Sequence, residues 1–225
     1  MLEPVVSAIP KTFTADSIDA LGGGVYRLNS CDTLWLTLNR KVAIGATIYT
    51  ITDLEPNQWV KVSGSLAPST DTFDIYTPFF RHGTIIATNE ELNRKHLHTD
   101  KLPMIYLHEI TRERFSSDPE IAQDRESECD LHFLTDANFR DWKVVDHYKY
   151  AIAPMRNLLF AFVNQLKNST FVGEFDEYDV LDHAKWGVFI ADRGSEKGIF
   201  DDQLSGSQLR INIPFLKEMN CSTYC

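Results

Sequence analysis

Positive charge is scarce in this chain of 225 residues: 22 Lys and Arg stand against 32 Asp and Glu, a formal net charge of −10. A protein that grips nucleic acid from outside needs clustered cations to neutralise phosphates, so that class is excluded. A protein that lines a passage for DNA is not, because an acidic wall prevents sticking. No apolar run approaches the roughly 20 residues of a membrane span, so no membrane partner is expected. The opening MLEPVVSAIPKTF has no basic start and no continuous apolar core, and synthesis in a cytoplasm is the expectation. Cysteines are few: Cys31, Cys129, Cys221 and Cys225. Cys129 shares a face with Leu131 and Phe133 in ECDLHFL and reads as a buried structural thiol. The terminal NCSTYC has the wrong spacing for a Cys-x-x-Cys knuckle or a prenylation box. Asn168-Ser169-Thr170 matches a glycosylation acceptor but carries no weight without a secretory route.

Signatures of chemistry are equally sparse. Glu109 follows His108, but Ile110, Thr111 and Arg112 come next, so the His-Glu-x-x-His pattern of zinc hydrolases is absent. His96 and His98 sit in a polar stretch, and His132 and His183 have no neighbouring ligand spacing. The acidic stretch Glu174, Asp176, Glu177, Asp179, Asp182, with Lys185 after it, lacks the glycine-centred calcium loop and reads as a solvated acidic face. In Gly194-Ser195-Glu196-Lys197-Gly198 the serine is second, so it is not a nucleophile elbow. Gly22-Gly23-Gly24 is followed by no phosphate-binding Lys-Ser/Thr. No enzyme activity, cofactor or metal is expected. A metal-dependent phosphodiesterase or nuclease using the acidic stretch and His183 is one alternative, and a generic protein-binding module is another.

Hydrophobic periodicity is plentiful. A short helix is expected over residues 16–21, stopped by the three glycines. The region 25–88 is β-rich: VYRL, TLWLTLN, ATIYTIT, WVKVSG, and the stretches around FDIYTPFF and GTIIAT. Pro56 and Asn57 mark the strongest hairpin turn, and strands at this spacing suggest a small barrel or sandwich. NEELNRKHLHTDK is a linker or an exposed helix. Beyond it, LPMIYLHE and ECDLHFL read as strands. Ile152, Met155, Leu159, Phe162 and Leu166 recur at helical spacing, with Pro154 in the first turn. After the acidic linker GEFDEYDVLD, KWGVFIA and QLRINI alternate as strands, with Trp186, Val188 and Ile190 on one face and Leu209, Ile211 and Ile213 on one face. The fold class is α+β: a small antiparallel sheet in the order strand, strand, helix, strand, strand, backed by one long helix. The chain divides into a β-rich module (1–90), the α+β domain (100–216) and a tail (217–225).

Both internal connections of that domain exceed the usual hairpin range of roughly 2 to 5 residues. Loop 110–127 carries Arg112, Arg114, Phe115 and Ile121; loop 192–206 carries Arg193, Glu196, Lys197, Ile199, Phe200 and Asp201. Isolated hydrophobes among charges of both signs suit docking on another subunit. Ile199 and Phe200 are then interface anchors and the charges their rim, with Phe200 exposed in the lone subunit. Folding back onto the chain's own core is the alternative.

The segments LPMIYLHEI, ECDLHFLTDANFRDW, YAIAPMRNLLFAFVNQL and KWGVFIADRGSEKGIFDDQLSGSQLRINIPF, in that order, resemble the tail-completion and head-to-tail connector proteins of tailed bacteriophages. Across residues 100–216 the resemblance implies a small sheet backed by one helix, with loops that reach neighbours in a ring. The whole chain is similar to neck-ring proteins of crAss-like phages. That resemblance implies a structural virion protein at the head–tail junction, in a homo-oligomeric ring of six- or twelve-fold symmetry. Its partners would be the portal or adaptor protein and tail proteins, with genomic DNA passing through the lumen without specific binding.

Overall fold

The computed structural model describes residues 2–31, 33, 35–95, 101–109, 112–115, 123–190 and 196–216. A short helix, α1 (Glu3–Ser7), carries Pro4 in its first turn and buries Val5 and Val6. Seven strands follow: β1 (Thr12–Thr14), β2 (Ser17–Gly22), β3 (Val25–Asn29), β4 (Lys41–Ile44), β5 (Thr47–Glu55), β6 (Trp59–Ser63) and β7 (Thr72–Ile75). They form an antiparallel sheet in the order β1-β7-β4-β5-β6-β3-β2. Strand alternation buries Phe13, Leu28, Val42, Ile44, Tyr49, Ile51, Val60, Val62 and Phe73 on one side. The turn at Glu55-Pro56-Asn57 joins β5 to β6, with Asn57 at φ 58°.

Residues 16–21 are not a helix. They form edge strand β2, because Gly22, Gly23 and Gly24 all take positive φ and turn the chain straight back into β3. The TLWLTLN stretch is irregular rather than a strand, and buries Trp35 and Leu36. GTIIAT is also not a strand. β8 (Phe79–Gly83) runs parallel to β9 (Met104–His108), and parallel neighbours need a crossover. The crossover is α2 (Ile85–Arg94), whose first turn is capped by the Thr84 hydroxyl accepting from the Ala87 N–H at 3.1 Å.

The second sheet is built on β11 (Gln123–Asp136) and β15 (Leu204–Leu216) and runs β12-β15-β11-β9-β8, where β12 is Tyr178–Trp186. β10 (Arg112–Phe115) pairs with the N-terminal half of β11. A two-stranded ribbon, β13 (Val188–Ile190) and β14 (Glu196–Gly198), belongs to neither sheet. The expected order of strand, strand, helix, strand, strand is present as β9, β11, helix, β12 and β15. Three features depart from expectation. A strand from residues 79–83 joins in parallel, so the sheet is not purely antiparallel. The stretch 110–127 holds β10 and the start of β11. The acidic linker is partly strand β12, and KWGVFIA breaks into β12 and β13 at Gly187, whose φ of +72° ends the first strand. Strand makes up 47% and helix 21%, so strands dominate this α+β chain. The tail 217–225 lies outside the described residues.

The helix begins earlier than its apolar spacing indicates. α3 (Val144–His147) leads through a π-helical turn, Tyr148–Ile152, into α4 (Ala153–Lys167). Met155, Leu158, Leu159, Phe162, Val163 and Leu166 lie buried against Ile105, Leu131, Phe133, Leu209, Ile211 and Ile213. Phe133 and Phe162 meet edge to face with ring centroids 5.6 Å apart. This core is continuous with the buried side of the seven-stranded sheet and with α1. Polar ties reinforce the junction: Arg40 to Asp136 at 2.8 Å, Lys149 to Glu55 at 3.0 Å, and the Tyr150 hydroxyl donating to Asp53 at 3.1 Å.

Phe162 is fully buried between helix and sheet, so Phe162→Ala should lower unfolding stability by roughly 3–5 kcal/mol. Chemical denaturation of the variant beside the parent checks this.

Candidate interaction surfaces

The face of the second sheet turned away from α4 divides into two halves. In one half Met104, Tyr106, Leu134, Trp186 and Leu204 are covered by Leu92 of α2 and by Phe200, forming a second, smaller core. Phe200 is only 8% exposed and its ring lies 4.8 Å from that of Trp186. The stretch 199–203 is therefore anchored to its own subunit. Lys101, itself buried, holds Asp202 at 2.6 Å, Asn93 donates to Asp201, and the Ile199 N–H donates to the Gly187 carbonyl at 2.8 Å. The expectation of a Phe200 exposed in the lone subunit is corrected: Gly187 turns the chain so that residue 200 returns over Trp186, where an apolar ring fills the cover that α2 leaves incomplete.

Ile199 behaves differently. It is 42% exposed, as is Phe189 at 49%, on a ribbon whose strands contact chiefly each other. Phe189 lies opposite Lys197 in the ribbon's register, and Lys197 is exposed. Glu196 contributes its backbone to the pairing with Ile190. Arg193 and Ile121 fall outside the described residues. In the other loop, Arg112, Arg114 and Phe115 stand on β10, all exposed, Phe115 at 69%. The structure thus keeps the two groups of expected contact residues apart, on the ribbon and on β10.

The other half of the sheet face is charged. Arg112 and Arg114 lie opposite Glu128 and Glu126, Glu128 opposite Asn212, and Asp130 opposite Arg210, which in turn faces Asp179. Arg114 reaches Glu126 at 4.0 Å and Arg210 reaches Asp130 at 3.9 Å, cross-strand pairs of opposite sign on an open surface. Asp176, Glu177 and Asp179 rim a groove beside them with Glu128 and Arg210. Asp182 does not join that acidic group: Arg156 grips it through two contacts at 2.9 and 2.7 Å, and the Ser207 hydroxyl donates to it. Among the described residues no cluster of three or more metal-ligating side chains converges.

Between the halves lies a set of residues that sequence spacing did not bring together. His183 Nε2 contacts Gln208 at 2.9 Å, Gln208 donates to both Asp130 oxygens at 2.6 and 2.8 Å, and His132 Nε2 is 3.6 Å from Asp130. His132 stacks on Tyr106 and packs against Trp186, and its Nδ1 is buried with no hydrogen-bond partner. Burial lowers the His132 pKa to about 4, against the pull of Asp130. Burial likewise raises the Tyr106 hydroxyl to about 12 and the Cys129 thiol to about 11, so Cys129 is an inert core thiol as its position in ECDLHFL indicated. The alternation of β11 does place His132 beside Asp130 on one face; what it could not show is that β12 supplies His183 two strands away.

His132 is neutral when folded and takes a proton below its ordinary pKa of 6.5 when unfolded. Its contribution is complete above pH 6.5 and is lost as pH falls towards 4, a total of roughly 3 kcal/mol. Denaturant midpoints measured from pH 7 to pH 4 should fall for the parent and fall less steeply for His132→Phe. At constant pH 7, Phe200→Ala should cost about 3 kcal/mol and Ile199→Asp under about 0.5 kcal/mol, because only the first removes core.

Compared with known proteins, the chain matches no protein-family model, no curated protein and no solved structure.

Proposed function

We propose that this chain is a structural virion protein, a subunit of a ring at the head–tail junction of a tailed phage, working by assembly rather than by catalysis. The observation that carries this reading is the β13–β14 ribbon: it belongs to neither sheet, exposes Phe189 and Ile199, and is rooted in its own subunit through Phe200 and Asp202. An isolated two-stranded ribbon is marginal in water, and exposed apolar residues on one are stabilised when a neighbour covers them. A ring subunit must present two different complementary surfaces, and an arm reaching the adjacent copy is one of them. The interface residues on this arm are Phe189, Lys197 and Ile199, with Phe200 as its internal anchor. The formal charge of −10 suits a wall past which DNA slides.

Freshly expressed protein should run as a ring-sized particle in light scattering and show annular particles in negative stain. Phe189→Asp with Ile199→Asp should leave the circular dichroism unchanged while lowering assembly at least about tenfold, since each places a charge in an apolar contact. A parent protein that stays monomeric at all concentrations contradicts the ring. Duplex DNA at physiological salt should give no gel shift; tight, salt-sensitive binding would point to a DNA-handling role instead.

A further inference from the structure

The charged half of the second sheet has two open edges of opposite sign. Across it the strands run β10-β11-β15-β12, and among the described residues β10 pairs only with β11 and β12 only with β15. Each outer edge therefore carries backbone donors and acceptors with no described strand beside them, a template for another chain. On the shared face the β10 edge presents Arg112 and Arg114. At the β12 edge stand Asp179 and, just before the strand, Glu177 and Asp176.

We propose that copies of this chain join edge to edge, the outer side of β10 in one copy pairing with the outer side of β12 in the next. The occupant of each edge is a second copy, and this rests on the ring reading while naming the surfaces that would close the ring. Strand direction agrees. The three pairings from β10 to β12 are all antiparallel, so the two outer strands run in opposite directions. By register Arg112 stands level with Asn212 and Asp179 with Arg210. A copy turned about an axis tilted from the strands, with a slide of about two residues, therefore keeps the strand direction. It brings its β10 antiparallel to the start of β12, Arg112 level with Asp179 and Arg114 with Glu177.

Charge decides the mode of association. Head to tail, Arg112 and Arg114 come beside Asp179 and Glu177, the favourable cross-strand combination. Two β10 edges would set arginines against arginines, and two β12 edges carboxylates against carboxylates. A two-fold dimer through either edge is disfavoured, and the remaining arrangement is heterologous, which gives a ring when the rotation closes. Phe115, on the opposite face of β10 and 69% exposed, gains cover in the same junction.

The test uses the full chain in three charge-reversed forms: Arg112→Glu with Arg114→Glu, Glu177→Lys with Asp179→Lys, and all four together. Light scattering gives the concentration for half-assembly, and circular dichroism reports folding. Either pair alone leaves both edges with one sign and should raise that concentration at least about tenfold. The fourfold variant restores opposite signs and should return to within about threefold of the parent. If a reversed pair disturbs folding, Arg112→Gln with Arg114→Gln replaces it and should weaken assembly in the same direction. A parent that assembles while every edge variant assembles equally well assigns these edges to another partner and overturns the proposal. A fourfold variant that folds but stays dissociated also overturns it. A monomeric parent overturns the ring reading and this proposal together, whereas edge variants that assemble normally sink only the latter.

Discussion

The long antiparallel ladder between β11 and β15, in register from Arg125 opposite Phe215 to Asp136 opposite Leu204, is the constraint on which the rest of the structure depends. An antiparallel ladder fixes which side chains share a face, and a slip of one residue would exchange the faces. In this register Leu131, Phe133, Leu209, Ile211 and Ile213 all meet α4, while His132, Asp130, Gln208 and Arg210 all point away. The strands also approach closely at Gly206, where any Cβ would lie 1.9 Å from the Phe133 carbonyl oxygen. That position admits no larger residue without displacing the ladder.

Everything else attaches to this pair. β9 and β10 follow one another along one side of β11, and β12 lies along the other side of β15. The parallel strand β8 adds to β9 and draws the N-terminal residues into the second sheet, and the Arg40–Asp136 pair and the shared core complete the junction. With Arg40 buried, the cost of taking its charge out of water offsets much of its attraction to Asp136, so this contact specifies how the two sheets meet more than it adds net stability.

The face away from α4 shows how one sheet supports two behaviours. Where α2 and Phe200 cover it, the side chains are aromatic and aliphatic, and burial holds His132 neutral with a pKa lowered to about 4. Where none of the described residues covers it, the side chains include arginines and carboxylates on neighbouring strands. The boundary runs through the contacts of Gln208 with His183 and Asp130, which satisfy polar groups at the point where water gives way to core. Ile199 and Phe200, adjacent in sequence, fall on opposite sides of a similar boundary: one exposed on the ribbon, one closing the small core.

Local periodicity was enough to place the strands around Thr47–Glu55, Trp59–Ser63, Met104–His108 and Cys129–Phe133, the turn at Asn57 and the apolar face of α4, because each depends on residues within a few positions of one another. The hydrophobic composition of both long loops also marked them as more than connections. It could not assign their roles, since burial of Phe200 depends on Trp186 and α2, which only the fold brings against it, and Phe115 stays exposed on β10. Residues 16–21 and GTIIAT misled for the same reason. A six-residue stretch carries too little periodicity to separate helix from strand, and the outcome was set by a glycine turn in one case and by a parallel crossover in the other. The charge of each strand was legible from the sequence; that the arginines and the carboxylates stand on opposite edges of one sheet was decided by the strand order, which only long-range pairing creates.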